Sequence, residues 1–236
     1  MSAAPRPGGT AGDCLTGRVV RAGAADIAVL SEVIAEAFFD LPPSRWLVPD
    51  RVARREIWPG YFRIYLQHAV TDGVVHTTPG RDAAALWLPV GETPAGPPEG
   101  YAAALAEVTG PYLDRFTAFD AALDARHPAG FAHHHLAILA VRSDRQGQGT
   151  GTALLQAYHH QLDTVVRQPA YLEASSERTR QVYLRRGYGD WGAPIALAGG
   201  CAMYPMLREP RPVAPAQAAG QVPRAWPVPP ARGNES

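Results

Sequence analysis

One stretch of the sequence, residues 136–155, constrains the fold more than any other part of the chain. It starts with an uninterrupted apolar run at 136–141, continues through Gly147, Gly149 and Gly151, and ends with apolar positions at helical spacing. This pattern predicts a buried strand, a glycine-rich turn and the start of a helix. Backbone N–H groups of such a turn are free to converge on an anion at the positive end of the helix dipole. The segment therefore predicts a binding site for a phosphate or pyrophosphate.

The spacing of the glycines narrows the kind of phosphate site. A Walker loop needs a lysine after its last glycine. All 22 basic residues of this chain are arginine, which excludes a P-loop nucleotidase. The Rossmann fingerprint requires G-x-G-x-x-G and an acidic residue about twenty positions later. Glu173 fits that distance but the glycines are spaced G-x-G-x-G, so a dinucleotide site stays open as the weaker alternative.

Length and charge set further bounds. The chain has 236 residues, which suggests one domain or at most two, and its formal net charge is zero. Zero net charge gives no support for general nucleic-acid binding. The sequence has no apolar run long enough to span a bilayer, and residues 1–13 lack the apolar core of a secretory signal. Cys14 and Cys201 make no disulfide framework. We therefore expect a cytoplasmic protein without nucleic-acid or membrane partners.

The order of the predicted elements indicates one α/β domain. It is β-α-α-β-β-α-β-α-β-α-β-β, which predicts a mixed sheet with helices on both faces. Residues 25–39 and 52–69 are predicted helices; Pro42 and Pro43 should end the first, and Pro59 should kink or split the second. The helix after the glycine-rich turn should reach about residue 166. Residues 83–90 and 170–174 are predicted strands, and Ser175 or Ser176 should cap the helix that follows the second of them. We place the domain at 17–209, after a disordered N-terminus at 1–16. A Pro-rich tail at 210–236 is open to interpretation as a linker, a strap between two copies in a homodimer, or a partner motif.

Two motifs resemble one known superfamily. Residues 146–151 read Gln-Gly-Gln-Gly-Thr-Gly and match the acetyl-CoA-binding pattern Gln/Arg-x-x-Gly-x-Gly/Ala of GNAT-type N-acetyltransferases at every fixed position. Residues 172–188 resemble the second signature of that superfamily, a strand and a helix that carries Tyr183 and ends in Gly187-Tyr188. The segments 86–89 and 133–136 are similar to a bacterial branch, that of puromycin-type N-acetyltransferases. The resemblance covers residues 18–208.

The resemblance implies a fold and an activity. We expect the GNAT-like acyl-CoA N-acyltransferase fold, an α/β fold with a mixed sheet. We also expect an enzyme that transfers an acetyl group from acetyl-CoA to the amine of a small molecule, by direct attack on the thioester. Two alternatives stay open, a protein or peptide N-acetyltransferase and a non-catalytic acyl-CoA sensor.

The resemblance also implies how acetyl-CoA binds. The glycine-rich turn would hold the pyrophosphate, Arg142 and Arg145 would add charge beside it, and pantetheine would pair with the exposed edge of the central strand. A backbone N–H near Ala140 would polarise the thioester carbonyl. Thr179 stands where members of the superfamily often carry Asn. The expected contacts are Leu139, Ala140, Val141, Gln146, Gly147, Gln148, Gly149, Thr150, Gly151, Thr152 and Thr179.

The chemistry needs an acid and a base. Tyr183 matches the catalytic Tyr of the superfamily and is the predicted general acid. For the base the resemblance favours His133, with Glu173 as the rival. Strand alternation places His133 and His135 on one face and His134 on the other. A zinc set of His133, His135, His159 and His160 can be imagined, but no metal is expected. His159 and His160 lie on the far part of a helix, no cysteine is nearby, and adjacent histidine side chains point apart.

The acceptor pocket is predicted between the first two helices and the hairpin that follows them. Its members are Phe38, Asp40, Trp46 and Trp87, with Phe39, Tyr61 and Tyr65 as further aromatic candidates. Aromatic walls with one acid suit a hydrophobic or aromatic amine. Asp40 is expected either to anchor the ammonium group of the acceptor or to cap the following turn.

Overall fold

The computed structural model describes residues 19–93, 96–197 and 199–212. The predicted disordered segment 1–16 and the tail from 213 onward lie outside these residues. The strands are β1 Val20–Arg21, β2 Val74–Thr77, β3 Ala83–Val90, β4 His133–Val141, β5 Ala170–Ala174, β6 Gly189–Asp190, β7 Ile195–Ala196 and β8 Ala202–Arg208. The α-helices are α1 Ile27–Phe38, α2 Pro42–Leu47, α3 Arg51–Asp72, α4 Tyr101–Thr109, α5 Leu113–Asp124, α6 Thr150–Gln161 and α7 Glu177–Leu184.

The strands form one mixed sheet. Over the described ranges its order is β1-β2-β3-β4-β5-β8-β6, and β7 pairs with β8 outside this path. The β4–β5 pair is parallel, and the other neighbouring pairs are antiparallel. The predicted α/β fold with a mixed sheet is therefore confirmed.

Both faces of the sheet are buried under helices, as predicted. Strand β3 shows the alternation, because successive side chains point to opposite faces. Leu86 belongs to the core that α1 and α3 cover, together with Leu30 and Trp58. Trp87, the next residue, belongs to the second core beneath α6, together with Tyr158. The two cores explain why 83–87 is buried at every position.

Two prolines act differently from the prediction. Helix α3 runs unbroken from Arg51 to Asp72 although Pro59 lies inside it. A proline inside a helix costs about 3 kcal/mol. Trp58 and Phe62 on either side are almost completely buried, and burying each such side chain contributes about 1.5–3 kcal/mol, which offsets that cost. Pro42 was expected to end the first helix, but it also opens helix α2, which was not predicted. The fixed φ angle of proline suits the first position of a helix.

Helix α6 is shorter than the sequence indicated. Its α-helical part ends at Gln161, whereas the prediction extended it to about residue 166. A π-helical turn, Leu162–Val166, continues the chain and ends at Arg167 in a left-handed conformation.

A bulge in the central strand opens the sheet. Leu86 lies opposite Ile138 whereas Trp87 lies opposite Leu136, so Ala137 is an extra residue in β4. Such a bulge bends its strand and weakens the pairing beyond it. Among the described residues, β5 pairs with β4 at His134 and His135 alone. From residue 136 onward the two parallel strands part, and a cleft opens between them.

Candidate active site

The cleft between β4 and β5 is continuous and has a volume of about 2690 Å³. We name its two ends the α6 end and the α5 end, after the helix that borders each. The α6 end is lined by β4 residues 136–141, by Gln146 and by residues of α7 and the segment before it. The α5 end is lined by residues of α3, α4 and α5, and by His127, His135 and Glu173.

The glycine-rich turn at the α6 end has the backbone that an anion site needs. Gly147 and Gly149 adopt φ of 76° and 86°, a left-handed conformation that costs an L-residue about 1–2 kcal/mol. Gly151 has no such requirement, and a Cβ there would lie 3.4 Å from Val141, an ordinary contact. Helix α6 starts directly after Gly149 and has no side-chain cap. The first hydrogen bond of the helix is donated by the Ala153 N–H to the Gly149 carbonyl. The N–H groups of residues 150–152 therefore have no intrahelical partner.

The arginines expected beside this turn are engaged elsewhere. Arg142 donates two hydrogen bonds to Asp144, at 2.7 and 3.0 Å. Arg145 lies 3.7 Å from the carboxylate of Asp82. Arg186 is the cation that reaches the start of α6, because its guanidinium donates to the Thr152 hydroxyl at 2.6 Å. Sequence reasoning missed Arg186, which follows α7, since nothing in its surroundings along the chain distinguishes it from the arginines of that helix.

Helix α7 brings Thr179 and Tyr183 to the α6 end of the cleft. The helix starts with reciprocal caps: the Ser176 Oγ accepts from the Thr179 N–H at 3.2 Å, and the Thr179 Oγ1 accepts from the Ser176 N–H at 3.0 Å. The Thr179 hydroxyl is thus tied into the helix cap. Tyr183 lies one turn later, half-buried in the cleft wall with its ring edge-on to Tyr188. Burial raises the pKa of Tyr183, so the phenol keeps its proton at neutral pH.

At the α5 end the structure joins three histidines of the segment 127–135 to Glu173 of β5. His133 makes contacts through both ring nitrogens, Nδ1 to the Phe131 carbonyl at 3.1 Å and Nε2 to the His127 Nε2 at 3.0 Å. The His135 Nε2 lies 2.9 Å from the Glu173 carboxylate. His134 points to the opposite face, where it meets the Tyr158 hydroxyl, so the predicted alternation is confirmed. His127 is the member that sequence reasoning missed.

These contacts fix where the protons lie. A carbonyl oxygen accepts only, so the His133 Nδ1 carries a proton and donates it to Phe131. The Nε2 of a neutral His133 is then an acceptor, and the Nε2 of His127 must donate to it. A neutral His127 is left with a lone pair on Nδ1, which lies 3.9 Å from the Glu173 Oε1. Two acceptors therefore lie beside each other at the cleft wall.

The charge state of this cluster follows from burial and from the neighbours. Burial, aided by His135, lowers the pKa of His127 to about 4, so that imidazole is neutral at pH 7. Burial acts to raise the pKa of Glu173, but His135 and His127 outweigh it and the net pKa lies below the usual value. Glu173 is therefore ionised although its side chain is 6% exposed. Its Oε1 has no hydrogen-bond partner among the described residues.

A second acid lies further along the α5 end. The Tyr101 hydroxyl donates to the Asp120 carboxylate at 2.8 Å, and the hydroxyls of Tyr65 and Tyr61 continue this chain at 3.4 and 3.2 Å. Burial raises the pKa of Asp120 to about 6, so the carboxylate is mostly ionised at pH 7. Within the described ranges Asp120 forms no ion pair. Asp124, one turn later on α5, lines the same end of the cleft.

The structure brings three of the seven predicted acceptor residues to this cleft. Phe38, Tyr61 and Tyr65 line it, whereas Phe39, Asp40, Trp46 and Trp87 do not. Asp40 is about half exposed and lies 3.2–3.8 Å from three arginines of α2 and α3. Trp46 borders a smaller surface pocket. Trp87 is fully buried on the other face of the sheet and stacks on Tyr158 with ring centroids 4.4 Å apart.

The geometry defines the class of protein. A mixed sheet whose parallel central pair parts beside a glycine-rich helix start is the GNAT fold. Residues 116–209 match the family model described as the Acetyltransferase (GNAT) domain. The chain thus has the GNAT fold, and the match of residues 116–209 to the GNAT acetyltransferase domain supports an acetyl-CoA-dependent N-acetyltransferase. No curated protein matches the chain.

Solved structures share this fold. A histone acetyltransferase HPA2 and related acetyltransferase from Corynebacterium glutamicum is 24% identical with a TM-score of 0.61, over 83% of this chain and 97% of the other. Arylalkylamine N-acetyltransferase 2 from Aedes aegypti is 13% identical with a TM-score of 0.60, over 81% and 98%. An agmatine N-acetyltransferase is 15% identical with a TM-score of 0.53, also over 81% and 98%. In the part of the chain that the structure describes, no helix combines the length and apolarity needed to cross a membrane.

Proposed function

We propose that the protein acetylates the primary amine of a small cationic molecule, which attacks the thioester of acetyl-CoA directly. One observation carries this proposal. A single cleft runs from Gln146, just before the helix start with its unpaired N–H groups, to the carboxylates of Glu173 and Asp120 at its α5 end. An anionic cofactor and a cationic acceptor would therefore meet between the parted strands. The domain boundaries 17–209 and the likeness to puromycin-type enzymes stay predictions.

Residues at the α6 end fit acetyl-CoA, which supplies the acetyl thioester. The pyrophosphate would accept hydrogen bonds from the N–H groups of the turn 147–152, with Arg186 beside it. The pantetheine arm would pair with the edge of β4 at 139–141, because β5 has left that edge. A backbone N–H near Ala140 would then polarise the thioester carbonyl, and a well-placed donor of this kind contributes about 3–4 kcal/mol. Gln146, Gln148 and Thr179 remain proposed contacts.

The α5 end supports a small cationic acceptor. Helices α4 and α5 wall this end with Tyr101, Leu105 and Asp120, so an extended peptide has less room there than a small molecule. Asp120 and Asp124 line this end of the cleft and offer negative charge there. Fold neighbours named for arylalkylamine and agmatine acetylation agree with an amine of this kind.

The His135–Glu173 pair is the proposed base. The ionised Glu173 accepts from the His135 Nε2–H at 2.9 Å, which leaves the Nδ1 of His135 with the lone pair. That nitrogen would take a proton from the acceptor's ammonium group, directly or through water, while Glu173 holds the ring. His133 is fully buried and both of its ring nitrogens make contacts, so we do not propose it as the base. It lies behind His127 and is separated by that residue from the cleft. Tyr183 would protonate the departing thiolate.

The testing experiment measures thermal stability with acetyl-CoA and then free-thiol release across a panel of amines. A ligand that binds the native state alone must raise the melting temperature. We expect a shift with acetyl-CoA and thiol release with small cationic amines. A shift without release from any amine or peptide would instead support the acyl-CoA sensor, and release with peptides alone would support the protein acetyltransferase.

A further inference from the structure

The cluster at the α5 end contains a set of atoms that suits a metal ion. One ligand atom from each of His127, His135 and Glu173 lies within 4.8 Å of the others. The sequence expectation of no metal considered His135 together with His133, His159 and His160, and did not include His127 or Glu173. Two neutral imidazoles and a carboxylate are a ligand set typical of Zn²⁺, whereas Mg²⁺ and Ca²⁺ prefer oxygen ligands alone.

The spacing of these atoms is close to what zinc requires. Zinc binds imidazole nitrogen and carboxylate oxygen at about 2.0–2.2 Å, which puts tetrahedral ligand atoms roughly 3.3–3.6 Å apart. The pair His135 Nε2–Glu173 Oε2 is at 2.9 Å, and the pair His127 Nδ1–Glu173 Oε1 is at 3.9 Å. The two distances lie on either side of the required spacing. Small side-chain rotations therefore complete the three-ligand set, and water from the cleft takes a fourth position.

A second, independent observation points to a cation here. The Glu173 side chain is 6% exposed, yet its Oε1 has no hydrogen-bond partner among the described residues. The chain of hydrogen bonds from Phe131 through His133 turns the lone pair of His127 toward this same oxygen. The Tyr171 hydroxyl is the neighbouring donor, yet it too has no partner at hydrogen-bond geometry among the described residues. A buried carboxylate oxygen beside a nitrogen lone pair is unfavourable unless a donor or a positive ion lies between them. His133 thus holds His127 in the tautomer that a metal ligand needs.

We propose that His127, His135 and Glu173 form a Zn²⁺ site at the α5 end of the cleft. His135 changes tautomer when the ion binds, with its proton moving from Nε2 to Nδ1 through water, and His127 uses its existing lone pair. The consequence for catalysis rests on the proposed function: zinc occupies the His135–Glu173 pair and the place of the acceptor's ammonium group. Zinc therefore inhibits acetyl transfer reversibly, and it competes with the amine and not with acetyl-CoA.

The test uses tag-free full-length protein and Co²⁺ as a visible probe, followed by displacement with Zn²⁺. We expect one ion per chain, d–d absorption bands of a four-coordinate site, and loss of the bands on zinc addition. The variants His127→Asn and Glu173→Gln should each weaken binding by more than about tenfold, since even partners behind metal ligands are worth 10–100-fold. His160→Asn, an exposed histidine of α6, is the matched control and should bind like wild type.

The outcomes separate the two proposals. The acetyl-CoA thermal shift of each variant shows that it is folded. Equal metal binding by wild type, His127→Asn and Glu173→Gln would overturn the zinc site, because the ion would then lie elsewhere. Absence of acetyl transfer to every amine would overturn the proposed function while the Co²⁺ titration still decides the metal site. Where transfer is seen, zinc should raise the KM of the amine and leave the KM of acetyl-CoA unchanged, and the opposite pattern would contradict inhibition at this site.

Discussion

The two ends of the cleft are built in different ways. At the α6 end the functional groups are mostly backbone: free N–H groups at a helix start, two left-handed glycines and an unpaired strand edge. They come from short contiguous segments. At the α5 end the functional groups are side chains from α3, α4, α5, β4, β5 and the segment at His127. The comparison teaches that one end is encoded locally and the other by long-range packing.

This difference has a consequence for how each end responds to substitution. A backbone site is lost when the chain conformation changes or when a side chain intrudes, so glycine positions matter most. A side-chain site is lost when one partner of a buried hydrogen-bond network is removed, because the remaining partner stays buried and unpaired. Substitutions at the two ends should therefore have effects of different kinds and sizes.

The largest effect is expected from Gly149→Asp at the α6 end. The new carboxylate would meet the pyrophosphate, and the left-handed φ of 86° adds strain of about 1–2 kcal/mol. We expect complete loss of acetyl-CoA binding in calorimetry. Gly192→Asp is the matched control, because Gly192 also has a positive φ and open space but lies outside the cleft. Unchanged affinity in Gly149→Asp would refute the proposed pyrophosphate site.

Tyr183→Phe tests chemistry at the α6 end without changing its backbone. If Tyr183 is the general acid, the rate of acetyl transfer should fall by about 10²–10⁴ while acetyl-CoA affinity is kept. Single-turnover kinetics separates these two quantities. Tyr204→Phe removes a hydroxyl on β8 outside the cleft and should leave the rate unchanged. A wild-type rate in Tyr183→Phe would mean that the thiolate leaves without this proton.

Asp120→Asn and Asp40→Asn together test which acid serves the acceptor. Hydrogen bonds to charged groups are worth about 1.5–3 kcal/mol, so Asp120→Asn should raise the KM of a cationic amine by roughly 10–100-fold. Asp40→Asn should change KM little, because the Asp40 carboxylate lies on the surface among three arginines. Steady-state kinetics of both variants with the same amine measures the two KM values. A larger increase in KM for Asp40→Asn than for Asp120→Asn would mean that Asp40 anchors the acceptor.

The smallest effect on activity is expected from Trp87→Phe. Its indole stacks on Tyr158 in the core beneath α6, so we expect a loss of about 1–3 kcal/mol in the free energy of unfolding. Urea denaturation measures this loss, and the KM of the amine should not change. A changed KM with unchanged stability would place Trp87 in the acceptor pocket and break the division between the two ends.

Much of the fold was predictable because its signals are local. The limits of β3 and β5 and the capping role of Ser176 agree with the sequence prediction, since alternation and capping depend on neighbouring residues. Pro59 was read as a break, and the structure shows a continuous α3. Local propensity favoured a break there, but burial of the adjacent aromatic residues outweighed it.

The candidate site divides in the same way. The turn at 146–152 and the strand edge at 139–141 were proposed from the sequence, and the structure places both at the α6 end. His127 and Asp120 were not proposed, because a histidine in a loop and an aspartate on an amphipathic helix carry no local signal. Their meaning comes from contacts with His133 and Tyr101, which lie 6 and 19 residues away. Trp87 was misplaced because one step along a strand changes the face to which a side chain points.

Local signals in the sequence were sufficient to predict the mixed α/β fold and the glycine-rich turn before α6. Hydrophobic periodicity, glycine spacing and helix start signals act over a few residues, so they can be read without knowing the rest of the molecule. The tertiary structure alone decided which histidine, which aspartate and which arginine face the cleft. Those positions depend on the bulge at Ala137 and on the packing of α4 and α5 against α3. Burial and hydrogen-bond partners then set the charge of each group, and both are properties of the folded chain.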